Sequence, residues 1–306
     1  MANCYWIDTT GLASWDDNIA GVTPWGSAIG VADNAANPVN GDSVYFDNGA
    51  GTTALVNGPA APVSLAELST DSYQFAMTAA QTVNITIANS GVLFLNGASE
   101  FGGVFGNSVT ATFIEASINS GTANGTGCVF VFQGTSTNSQ IFTNNPTVSF
   151  TGAGTTNAAL VTTSVAVVIS GTLINNATIT APATLTAAIG GVGSIVGAVA
   201  IGGGGSNNGT ITGGVTITGT GANTGTIIGN VTASGTANCN TGTINGNLTL
   251  SNTAKQTGIV TGTLTAPAED NGDGTWGTPQ DALGTFGTLK LTGIPSGSDM
   301  LGAGLM

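Results

Sequence analysis

Between residues 177 and 266, apolar and polar positions alternate in short bursts that glycine interrupts, and the bursts return at a fixed interval. The clearest copies lie in 209–250: GTITGGVT, GTIIGNVT and GTINGNLT. With the first residue of the phrase as position one, units begin at Ala177, Gly193, Gly209, Gly225, Gly242 and Gly258, spaced 16, 16, 16, 17 and 16 residues apart. The third position is Ile179, Ile195, Ile211, Ile227, Ile244 and Val260. The seventh is Ala183, Val199, Val215, Val231, Leu248 and Leu264, and glycine fills the fifth in every unit after the first.

Each unit reads as two short period-2 stretches joined by a glycine corner. In Thr210-Ile211-Thr212 the isoleucine points one way and both threonines the other; in Val215-Thr216-Ile217 two aliphatics flank an outward threonine. Residues 219–224 then return the chain to the next unit, and asparagine and glycine at the corners suit turns that need positive φ. One unit cannot bury its apolar stripe alone, whereas a stack of units can. The predicted fold is therefore all-β: a right-handed parallel β-solenoid (β-helix) with 16–17-residue coils in the C-terminal half, stacked about 4.8 Å apart. The third- and seventh-position aliphatics from Ile179 to Leu264 form its core, each contributing about 1.5–3 kcal/mol.

Less regular coils precede these, at 82–97, 109–118, 128–134, 140–150 and 158–171. Their aromatic residues predict a wider interior. No aromatic residue lies between Phe150 and Trp276, which predicts a slimmer later solenoid. The chain accordingly divides into an aromatic-rich cap or attachment region (1–50), the solenoid (51–266) and a C-terminal cap or subunit-contact segment (267–306), where charge, proline and aromatics return.

Composition narrows the function. The 306 residues carry fifteen acids against two bases, Lys255 and Lys290, with no arginine or histidine, for a net charge of −13. Charged residues make up 6% of the chain, against about a quarter in ordinary soluble domains. Low charge combined with regular β-branched positions marks a folding chain rather than a disordered one. The negative balance argues against nucleic acid as a partner, because phosphate binding needs clustered Lys or Arg. Polar residues and glycine break every apolar run short of the roughly 20 residues that span a bilayer, so no membrane insertion is expected. Cys4, Cys128 and Cys239 are too scattered for a disulfide framework or a C-x-x-C metal site and read as buried thiols. The opening MANCYWIDTT lacks the basic and apolar regions of a signal peptide.

Without histidine, Ser-His-Asp and Cys-His catalysis and histidine metal sites are excluded. Residues 116–268 also lack Asp and Glu. A carboxylate pair for glycoside hydrolysis would have to come from Asp42 and Asp47, or from Glu67, Asp71, Glu100 and Glu115; solvated or turn-forming acids are the plainer reading, and no catalytic residue is assigned. Glu269, Asn271 and Asp273, followed by Gly274, partly mimic a calcium loop, but Gln280 stands where a bidentate glutamate belongs. An acidic turn is the plainer reading there, and no cofactor is expected. The glycines of 189–197 follow the repeat register, not a nucleotide fingerprint. Threonine columns raise ice binding. The column Thr178, Ser194, Thr210, Thr226, Thr243 is regular, but its neighbour Thr180, Val196, Thr212, Ile228, Asn245, Thr261 is broken.

Tyr5, Trp6, Trp15 and Trp25 precede PVNGDSVYFD (38–47), which contains Tyr45 and Phe46. This opening pattern over about the first 50 residues, followed by a glycine-threonine-rich solenoid, resembles virion proteins of tailed bacteriophages, of the tail-fibre, spike or head-decoration type. It is less closely similar to β-solenoid passenger regions of bacterial surface adhesins. The phage resemblance implies a non-enzymatic structural protein on the virion surface, assembled in the host cytoplasm and trimeric. It implies capsid or tail proteins as partners and contact with a glycan on the host surface. The six aromatics would then form the attachment surface; packing inside a cap is the structural alternative. A surface adhesin or extracellular filament is the second reading, with a polysaccharide-cleaving tailspike and an ice-binding protein as lesser ones.

Overall fold

The computed structural model describes residues 2–7, 14–16, 23–28, 31, 35–46, 57–70, 78–123, 125–235, 238–251, 254–270, 275–277, 284–293 and 299–300. The chain is nearly all β, built of stacked parallel coils, and forms two compact units, Met1–Val167 and Val168–Met306. This division falls inside the stretch 51–266 rather than at its ends.

In the second unit the repeat sets the register. Thr178, Ser194, Thr210, Thr226, Thr243 and Ile259 pair in turn, at the intervals of 16 and 17 residues read from the sequence. A second ladder joins Ala183, Val199, Val215, Val231, Leu248 and Leu264. Ile179, Ile195, Ile211, Ile227, Ile244, Val260, Val199, Val215, Val231, Leu248 and Leu264 are each buried. The period-2 geometry drives this: one aliphatic per strand faces inward, its neighbours face out, and stacking removes the stripe from water.

The coil has a third strand that the hydrophobic pattern does not show. Ala188–Gly190, Ser206–Asn207, Ala222–Asn223, Asn238–Asn240 and Lys255–Gln256 stack as a separate parallel ladder. The segment 219–224 is thus a strand flanked by turns, not only a return. Its inward position runs Leu173, Ile189, Asn207, Asn223, Asn240 and Gln256, all buried. Asparagine here does not serve left-handed corners. Among the described residues the non-glycine positions with positive φ are Ser90, Ser108, Glu115 and Asn145.

Glycine makes the corners, for a reason visible at Gly213. Its φ is 145°, and a Cβ there would lie 2.1 Å from the carbonyl oxygen of Gly197 in the preceding coil. Corners of successive coils approach too closely for a side chain. The C-terminal segment does not simply end the stack. Ile259–Pro267 pairs in parallel with Thr285–Thr292, and Glu269–Asp270, Thr275–Gly277 and Asp299–Met300 form a small separate sheet.

The first unit uses the same plan with larger coils. Val92, Thr110, Val129 and Thr147 pair in turn at steps of 18, 19 and 18 residues. Its interior holds Phe101, Phe105, Phe113, Phe130, Phe132, Phe142 and Phe150, all fully buried. Phe113, Phe132 and Phe150 stack along the coil axis with centroids 5.0 and 5.2 Å apart, the separation that parallel strand spacing imposes on aligned rings. At its start, β1 (Asn3–Trp6) pairs in parallel with β3 (Ser43–Tyr45) and antiparallel with the two-residue β2 (Trp25–Gly26). β4 (Val63–Ser69) follows β3, and β5 (Ile85–Leu95) follows β4, both in parallel register. A very short antiparallel partner leaves little edge for another chain to extend.

Candidate functional site

The aromatic opening divides along strand alternation. In β1 and at the end of β3, each tyrosine faces one side and its neighbour the other. Trp6, Trp15, Trp25 and Phe46 are 1% exposed or less. They form one cluster, with Trp15–Trp25 centroids at 4.8 Å, Trp6–Trp25 at 5.1 Å and Trp25–Phe46 at 5.7 Å. Trp25 Nε1 donates to the Trp15 carbonyl at 2.9 Å, satisfying a polar atom that burial would otherwise penalise. These four residues are core and present no surface to a partner in this fold, which corrects the attachment expectation for them.

Tyr5 and Tyr45 lie on the outer face, half-buried, and stack with centroids 5.0 Å apart and planes 19° apart. The Tyr45 hydroxyl donates to Glu67 Oε2 at 2.7 Å. Burial first, and this bond second, push the Tyr45 hydroxyl up to about 12. The outward column continues through Ser69 and Phe94 to Thr112 and Val131. Glu67 occupies the adjacent outward column, between Ser43 and Val92. Phe94 is the one described phenylalanine of this unit that is not buried.

The candidate acids serve separate structural ends. Asp42 is buried; its Oδ1 accepts from the Ala2 amide at 2.6 Å and its Oδ2 from the Val39 amide at 3.1 Å. It pins the start of β1 against the turn before β3. Glu67 faces out on β4 and holds Tyr45. Glu100 accepts from the Ser120 hydroxyl at the end of the strand it pairs with, and Glu115 is exposed in a left-handed turn with φ of 55°. Asp47, Asp71, Asn271, Asp273 and the side chain of Glu269 lie outside the described residues, so the calcium reading does too. No cluster of three or more metal-ligating side chains occurs among the described residues.

All three cysteines are buried and unpaired. Burial pushes the Cys239 thiol up to about 12, and burial together with the Asp42 carboxylate pushes Cys4 up to about 11.

What the hydrophobic pattern missed is a pair of buried amide ladders. In the second unit Asn207 Nδ2 donates to Asn223 Oδ1 at 2.8 Å, Asn223 Nδ2 to Asn240 Oδ1 at 2.8 Å, and Asn240 Nδ2 to Gln256 Oε1 at 3.1 Å. Asn207 and Asn223 also donate to the carbonyls of Gly209 and Gly225. In the first unit Asn119 donates to Asn138 at 3.1 Å and Asn138 to Asn157 at 3.0 Å. A buried amide is tolerated because the coil above and the coil below satisfy it. The signal was present: an asparagine two residues before the opening glycine of a unit, in register with the repeat.

The outward threonines stand in register, Thr184, Thr216, Thr232, Thr249 and Thr265 along one ladder, with Ala200 interrupting. No helix among the described residues is long and apolar enough to cross a membrane. The class that the fold defines is thus the parallel β-solenoid with an aromatic cluster near its N-terminus. No protein-family model, curated protein or solved structure matches the chain.

Proposed function

We propose that this chain is a non-enzymatic structural protein of the surface of a tailed-bacteriophage virion, a fibre, spike or capsid decoration. The observation that carries the reading is the opening motif. Tyr5-Trp6, Trp15, Trp25 and the segment 38–47 resemble virion proteins, and their buried members pack where β1 and β3 begin the first coils. The motif is therefore the device that starts the solenoid. Supporting this, the described acids Asp42, Glu67 and Glu100 are engaged in structural hydrogen bonds and the thiols are buried. A stack held by backbone ladders, with two lysines as its trypsin sites, suits an exposed and durable element. Capsid or tail proteins are its partners in this reading, and a homotrimer its assembly.

The test is co-sedimentation. Particles from the source, banded on a density gradient, are digested with chymotrypsin, because two lysines leave trypsin too few cuts. Peptides of this chain that track with capsid protein support the reading. Peptides confined to the bacterial envelope fraction would sink it in favour of an adhesin.

A further inference from the structure

Asn-Gly occurs eight times in the chain, and five of these pairs lie among the described residues, beginning at Asn40, Asn57, Asn96, Asn208 and Asn245. The pair is reactive because glycine carries no side chain to shield its own nitrogen, which can close a five-membered ring on the asparagine amide carbon. The fold decides which pairs do so. The glycine nitrogen must lie near Cγ, and the glycine must be free to swing as the ring closes. Four of the five are held. At Asn40 the Gly41 amide donates to the Ser64 carbonyl at 2.8 Å, and Asn40 Oδ1 accepts from the Ser64 amide at 2.8 Å. At Asn208 the Gly209 amide donates to Asn207 Oδ1 at 3.1 Å, and Asn208 Oδ1 accepts from the Thr224 hydroxyl. Asn57 and Asn245 precede glycines packed against another segment: a Cβ on Gly58 would lie 1.7 Å from the Gln81 carbonyl oxygen, and one on Gly246 2.2 Å from that of Gly229.

Asn96–Gly97 differs on each count. β5 ends at Leu95, so the pair lies just beyond the ladder. The Asn96 amide is anchored on Thr70 Oγ1 at 2.9 Å, while the Gly97 amide donates to Asn96 Oδ1 at 2.7 Å. Since a C=O bond is about 1.23 Å long, the glycine nitrogen stands about 3–4 Å from Cγ, at the edge of the separation from which reacting atoms close. Gly97 has a φ of 70°, and a Cβ there would meet nothing within 4 Å. Both residues are half-buried and Ala98 is exposed, so water reaches the turn.

We infer that Asn96 is a site of self-modification, deamidating in the folded chain ahead of the other four pairs. Gly97 N bonds to Asn96 Cγ, and ammonia leaves with the glycine proton. Water then opens the cyclic imide at either carbonyl and leaves aspartate or isoaspartate. Either product puts a negative charge at the end of β5, and isoaspartate also adds a main-chain carbon there. The site lies in the first unit and is independent of where the protein is displayed.

The full chain, aged in mildly alkaline buffer made with heavy-oxygen water and then mapped by mass spectrometry, tests this. Chymotrypsin frees Asn96 in the short peptide between Leu95 and Phe101. A parallel incubation in concentrated urea gives the rates without the fold. In the folded chain Asn96 is expected to take up heavy oxygen at least about tenfold faster than Asn40 and Asn208. In urea that advantage is expected to vanish. Equal rates at the three positions in the folded chain, an Asn96 slower than the others, or an advantage that persists in urea would overturn the site.

Discussion

At the residue scale the unusual choice is a buried amide where a solenoid ordinarily places an aliphatic side chain. Asn223 accepts from Asn207, donates to Asn240 and donates to the Gly225 carbonyl. Replacing it with leucine puts a larger apolar group in the coil and leaves Asn240 Oδ1 without its donor, while Asn207 keeps the Gly209 carbonyl and the Gly225 carbonyl keeps the Thr243 amide. Since a buried acceptor left unpaired costs about 1–3 kcal/mol and the larger side chain overpacks the site, Asn223→Leu is expected to destabilise the chain by about 2–4 kcal/mol. A urea midpoint equal to that of the parent would contradict the ladder. The thiols give a pH signature. Cys239 lies at about 12 in the folded chain against an ordinary 9.0, and Tyr45 at about 12 against 10.0. Above about pH 9 the unfolded chain loses these protons first, so it binds fewer than the native chain and stability falls as pH rises toward about 12. The urea midpoint should be lower at about pH 11 than at about pH 8, with a shallower fall in Cys239→Ser. A flat profile would show that Cys239 is not buried.

At the element scale the repeat made two of the three ladders legible, because an inward apolar residue alternating with outward ones survives in every coil, from Ile179 to Val260 and from Ala183 to Leu264. The third was hidden by its polar inward residues. Ser206-Asn207 and Ala222-Asn223 carry no apolar stripe, and their strand character comes from neighbouring coils rather than from their own pattern. The site was half legible. Alternation already separates Tyr5 from Trp6 and Tyr45 from Phe46, but which set faces the core depends on packing partners far along the chain. The glycine corners give a sharp contrast between neighbours. Gly213→Ala drives a Cβ to 2.1 Å from Gly197 O at a φ of 145°, whereas a Cβ on Gly214 meets nothing within 4 Å. The first change should destabilise by more than about 2 kcal/mol, and the second should stabilise by about 0.4–1 kcal/mol through the unfolded chain. Thermal melts of the two variants that shift alike would refute the close-approach account of the corners.

At the scale of the whole molecule, the chain carries a net charge of −13 with two lysines, a field that repels phosphates and anionic membrane surfaces. Among the described residues, the first unit buries aromatic and aliphatic side chains, and the second buries aliphatic ones with no aromatic. Its backbone hydrogen bonds run between coils and its thiols are buried. Among the described residues, the outer face carries two stacked tyrosines, Glu67 and Phe94 in the first unit and a column of threonines in the second. The most direct measurement is electron microscopy of particles from the source, labelled with gold-conjugated antibody raised against this chain. Gold on capsid or tail is the predicted result, and its position would separate decoration from fibre. Gold on bacterial surfaces or loose filaments, with none on particles, would contradict the account.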